Sequence, residues 1–78
     1  MKTPRLLTDM EEKRLNTAFT YHAPKGDQAE RYGLLRDAGK SFAGLIMGYT
    51  PASREQSLAL TYLEEAIMWA NAAIARNE

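Results

Sequence analysis

Apolar residues along the chain fall into three blocks, separated by polar stretches rich in turn formers. In the middle block Tyr32, Leu35, Gly39, Phe42, Ile46 and Tyr49 recur at alternating three- and four-residue spacing, which stacks them along one seam of a helix from Gln28 to about Met47. A second row, Leu34, Ala38, Ser41 and Leu45, runs beside it, so the nonpolar surface is wider than one partner helix covers. The third block runs to about Arg76. It places Leu60, Leu63, Ile67, Ala70 and Ile74 on one face, Ala59, Ala66 and Ala73 beside them, and Leu58, Tyr62 and Trp69 on a further strip. The first block is sparse. A helix from Asp9 to about Phe19 carries only Met10, Leu15, Ala18 and Phe19 as apolar positions, and Met1 to Leu7, with Pro4, reads as a loose arm.

Local signals bound these helices. Thr8 with Glu11 three residues on forms a capping box, and Asp27 with Glu30 suits the start of the second helix. Gly48 is a plausible stop for that helix. Thr50-Pro51 offers an N-cap and first-turn proline for the third, with Ser53 and Gln56 as a competing box. The short connection makes helices two and three antiparallel neighbours. Gly33 and Gly39 each cost about 1 kcal/mol relative to alanine in a helix interior, which close backbone approach to another helix or to a ligand, or simple tolerance, would explain. The fold expected is all-α, with an arm and short helix over residues 1–18 and a helical hairpin domain over 19–78.

At 78 residues and without cysteine, this is one domain near the size where a single core is marginal. The uncovered apolar rows then point to a homo-oligomer. Ten Lys+Arg balance ten Asp+Glu, which argues against general DNA or anionic-membrane binding. No apolar run approaches a membrane span, and the first residues lack the core of a signal peptide, so an intracellular protein is expected.

Catalytic chemistry is thin. There is one histidine, His22, and no cysteine; no Walker loop surrounds Lys25-Gly26; and the pairs Glu11/Glu12 and Glu64/Glu65 point in different directions around their helices. A metal site needs several convergent donors, and neither a metal nor any other cofactor is expected. The densest chemistry lies in the stretch from Thr20 to Tyr32, where aromatics, cations and loop formers meet. Pro24 biases Ala23 to extended geometry, Gly26 admits positive φ, and the following helix start exposes unpaired N–H groups. An anion would sit there beside Lys25, with Tyr21, His22 or Tyr32 as a stacking face. A capped surface turn is the alternative reading. Arg31, Arg36, Lys40 and Arg54 add scattered cations, and a two-fold interface would present each of them twice.

The run from Phe19 to Tyr32, followed by Pro51 to Thr61 and Leu63 to Ala75, resembles the phage helical-hairpin family of anti-CBASS and Thoeris anti-defence proteins. The resemblance covers about Phe19 to Asn77. It implies a phage or prophage protein that sequesters cyclic nucleotide messengers of bacterial immunity in the host cytoplasm, as a sponge and not as an enzyme. It also implies a hexamer, with cyclic dinucleotides at paired protomers and cyclic trinucleotides at three-fold sites. By the family pattern Tyr21 and Arg36 match the dinucleotide pocket, with Lys25 competing for the phosphate role, and Arg54 matches the three-fold site. The ligand-binding set expected is therefore Tyr21, Lys25, Gly26, Arg31, Arg36 and Arg54. A rival reading from the residues is a small helical module that binds a host protein through the Leu58/Tyr62/Trp69 strip.

Overall fold

The computed structural model describes residues 4–78 and contains three helices, α1 (Asp9–Phe19), α2 (Gln28–Tyr49) and α3 (Arg54–Asn77), with no strand among the described residues. The loose-arm reading for residues 1–3 lies outside that range; residues 4–8 carry no regular structure.

α1 starts where the capping box places it. The Glu11 amide donates to Thr8 Oγ1 at 3.1 Å, and the Thr8 amide donates to Glu11 Oε1 at 3.0 Å. Arg5 reaches over from the arm and donates to the same carboxylate at 2.7 Å. With Arg5 first and the Thr8 amide second, these donors hold the Glu11 carboxyl down at about 2. No residue of α1 is buried, and Met10 and Phe19 are 83% and 85% exposed.

α2 and α3 form the antiparallel hairpin. Its seam takes Tyr32, Leu35, Gly39, Ala43 and Ile46 from α2 against Leu60, Leu63, Ile67, Ala70 and Ile74 from α3, all of them half-buried except Gly39, which is buried. Two members of the expected seam are elsewhere: Phe42 is 56% exposed and Tyr49 is 85% exposed. Ala43 takes the place of Phe42 because Gly39 brings the helices close. A Cβ added at Gly39 would lie 2.8 Å from Ile67 Cγ1, and next to so close a crossing only a small side chain fits. Gly33, by contrast, faces open space.

The turn also differs from expectation. Gly48 does not stop α2; its φ is not positive, and the helix runs on to Tyr49. Termination comes at Thr50, whose extended backbone is what the following Pro51 requires. Thr50 is thus the C-cap of α2 and not the N-cap of α3: its amide and hydroxyl both donate to the Ile46 carbonyl, at 3.1 and 2.6 Å. Ser53 caps α3, accepting from the Gln56 amide at 3.1 Å. The Gln56 side chain does not close the box. It donates instead to the Thr50 carbonyl at 3.0 Å and so ties the two helix ends together.

The Cα envelope measures 52 × 41 × 14 Å, the thickness of one layer of helices. A single layer cannot enclose side chains from both sides, and no hydrophobic residue is buried among those described.

Candidate functional site

The segment from Thr20 to Asp27 links α1 to α2 and is held at both ends. At its start the backbone turns extended at Thr20, and His22 Nε2 lies 2.7 Å from the Thr17 carbonyl, which can only accept, so that nitrogen carries the proton. At its end Gly26 adopts φ +57°, the left-handed conformation expected of it. Asp27 occupies the N-cap position but makes no side-chain cap. Its carboxylate accepts instead from Arg31 Nε at 3.1 Å, which corrects the expected Asp27–Glu30 cap.

Gln28 takes over the capping of the loop. At 4% exposure it is the buried polar residue among those described, and its Oε1 accepts from the Lys25 amide at 3.1 Å while its own amide donates to the Lys25 carbonyl at 3.1 Å. Its side-chain nitrogen reaches Glu78 Oε1 at 3.4 Å. Arg31 grips the same carboxylate with both terminal nitrogens, Nη1 to Oε2 at 2.9 Å and Nη2 to Oε1. The Arg31 guanidinium, helped by Gln28, holds the Glu78 carboxyl at about 2. Thus Arg31 is already engaged with two carboxylates, whereas Tyr21, at 82% exposure, and Lys25 present their side chains to solvent.

Arg36 is exposed and makes no ion pair among the described residues. It borders two grooves. One, of about 440 Å³, is lined by His22, Tyr32, Arg36, Asn71, Ala72 and Ala75, so the residue next to Tyr21 shares a concavity with Arg36. The other, of about 480 Å³, runs along the hairpin past Gly39, Met47, Leu63 and Met68, with Arg36, Lys40 and Glu64 supplying the charge. Asn71 Oδ1 is buried without a hydrogen-bond partner among the described residues. Sequence reasoning did not single out Asn71 or Gln28. A polar residue inside the alanine-rich run Ala70 to Ala73 was the available signal for the first.

Arg54 opens α3 at the far end of the hairpin. The length of α2 separates it from the loop by roughly 30 Å, at about 1.5 Å per helical residue. Within the chain Tyr21, Lys25 and Arg36 lie toward one end of the hairpin and Arg54 at the other, so the four do not come together.

The strip Leu58, Tyr62 and Trp69 is exposed, with the Arg76 guanidinium 5.8 Å from the Trp69 ring centre. Among the described residues no three His, Cys, Asp or Glu side chains are grouped to hold a metal ion, and no helix is long and apolar enough to cross a membrane.

A family model described as "Acb2/Tad1, hairpin domain" matches residues 10–75, taking in nearly all of α1, the whole of α2 and α3 as far as Ala75. No curated protein and no solved structure matches the chain.

Proposed function

Since the chain belongs to the Acb2/Tad1 hairpin-domain family, we propose that it is a phage-encoded sponge that binds cyclic oligonucleotide immune messengers in the bacterial cytoplasm without cleaving them. Capture lowers the free messenger concentration and leaves the downstream effector of CBASS-type signalling unoccupied. The observation that carries this reading is the family match across residues 10–75.

The geometry supports it in three ways. A single-layer fold with Leu34, Phe42, Leu45, Tyr49 and Trp69 exposed has apolar surface to cover, which copies of the same chain would do in a hexamer. Tyr21 is free to stack on a base, and Lys25 and Arg36 are free to meet phosphates, each doubled by a two-fold axis. Gly26 shapes the turn that carries Lys25 and follows Tyr21, and α2 carries Arg36. Arg54, remote from that cluster, suits a separate site of higher symmetry, where a cyclic trinucleotide would be held. For Arg31, phosphate contact competes with the Asp27 and Glu78 carboxylates.

The absence of cleavage is part of the proposal: sequestration needs only a preformed grip and no nucleophile or base. Calorimetric titration with cyclic di-AMP, cyclic di-GMP and a cyclic triadenylate tests the reading. Saturable binding with ligand recovered intact after heat denaturation supports it, and silence across the panel rejects it. The exposed Leu58/Tyr62/Trp69 strip favours a second reading, a module that docks on a host protein. That reading gains only if the titrations are silent and the strip stays accessible in the native assembly.

A further inference from the structure

The end of α3 lies against the loop that carries Tyr21 and Lys25, and the contact is polar, specific and remote in sequence. Glu78 receives the Arg31 guanidinium through two oxygens and the Gln28 side-chain amide through one, across separations of 47 and 50 residues. Gln28 in turn accepts from the Lys25 amide, one residue before the positive-φ Gly26. A chain of bonds thus leads from Glu78, the C-cap of α3, to the loop backbone, and its middle member is 4% exposed.

Burial of Gln28 is what makes the chain informative. A buried amide without partners is costly, and here one end of it is satisfied by the loop and the other by Glu78. Removing Glu78 leaves the Gln28 nitrogen and the Arg31 guanidinium to find new partners, and either change pulls on the Lys25 turn.

We propose that Glu78, acting through Arg31 and Gln28, is a positioning residue that holds the 20–27 loop in its ligand-ready conformation. This rests on the cyclic nucleotide reading above, and goes beyond it by placing the control of the loop at the C-cap of α3. A loop held in one conformation binds without first being ordered, and apparent affinity falls in proportion to the fraction of loops still in that conformation.

The test uses the full chain in its native assembly, with Glu78→Ala, Glu78→Gln and Gln28→Ala. Amide hydrogen exchange is followed over residues 20–28, and cyclic di-AMP and cyclic di-GMP are titrated in parallel. Glu78→Ala is expected to speed exchange of the loop while α2 and α3 stay protected, and to weaken binding about tenfold, the loss expected if about one loop in ten stays competent. Glu78→Gln, which keeps acceptor and shape but not charge, is expected to fall between wild type and Glu78→Ala. Saturating dinucleotide should restore loop protection in Glu78→Ala, which a merely structural contact would not show.

Unchanged loop exchange in Glu78→Ala overturns the proposal. So does faster exchange with affinity equal to wild type. Should Gln28→Ala fail to fold, the surface substitutions at Glu78 still decide. Failure of the underlying reading looks different: the wild type itself would bind neither dinucleotide.

Discussion

At the scale of single residues, the two helical glycines with strongly different surroundings make the sharpest contrast. Alanine at Gly39 would place its Cβ 2.8 Å from Ile67 Cγ1, so the helices must separate or Ile67 must turn. We expect Gly39→Ala to destabilise the fold by about 1–2 kcal/mol, overpacking outweighing the helix propensity gained. Gly33→Ala meets open space and should stabilise by about 0.5–1 kcal/mol. Chemical denaturation of both variants checks the pair, and the same sign in both would contradict the packing described. The sequence marked both glycines equally; only the position of Ile67, contributed from α3, tells them apart. Tyr21→Ala and Arg36→Glu should each weaken dinucleotide binding at least about tenfold with far-UV ellipticity unchanged, since both side chains are exposed. Full affinity in both would move the ligand away from this loop.

Among the elements, α1 is the one its own sequence must hold, because its large apolar side chains Met10, Leu15 and Phe19 are all exposed while α2 and α3 share a seam. Thr8→Ala removes the cap and should cost α1 about 1 kcal/mol, seen as lost helicity confined to residues 9–19 in amide exchange. Acid should act on the same corner. Glu11 titrates at about 2 with Arg5 and Thr8 in place, below the ordinary carboxylate range near 4.5. Its contribution is therefore complete above about pH 4.5 and fades as pH falls towards about 2. Exchange in α1 should accelerate across that window, and Arg5→Ala should shift the window upward. Capping signals made the beginning of α1 legible in advance and left that of α3 between Thr50 and Ser53, of which the fold takes Ser53. The end of α2 was misplaced at Gly48 because a glycine only permits a stop, whereas Pro51 imposes extended backbone on Thr50.

For the whole molecule, the decisive fact is thinness. One layer 14 Å deep leaves no apolar side chain buried among those described. Light scattering is expected to give a mass of several subunits at micromolar concentration. A clean monomer would remove the doubled pocket on which the proposed grip depends. Phe42→Glu, on a face exposed in the single chain, should lower that mass while leaving the hairpin helical. On the proposed reading, Tyr21, Lys25 and Arg36 toward one end of the hairpin and Arg54 at the other would each be joined by the same residues from other copies.

Much of this protein is written in local pattern. Three helices, the capping box of α1 and the antiparallel hairpin follow from periods and capping residues that act over a few positions, and the family was legible in the runs Phe19 to Tyr32, Pro51 to Thr61 and Leu63 to Ala75. Four things had to await the folded chain: that Ala43 and not Phe42 enters the seam, that Gly39 and not Gly33 is the close approach, that Asp27 yields its cap to Arg31, and that Glu78 closes on Gln28. Each of these is a choice between partners distant in sequence or equally spaced along a helix. Periodicity names the candidates for a face, but only the crossing of α2 over α3 decides which of them meet, because contact depends on the distance between two helices and neither helix encodes it alone.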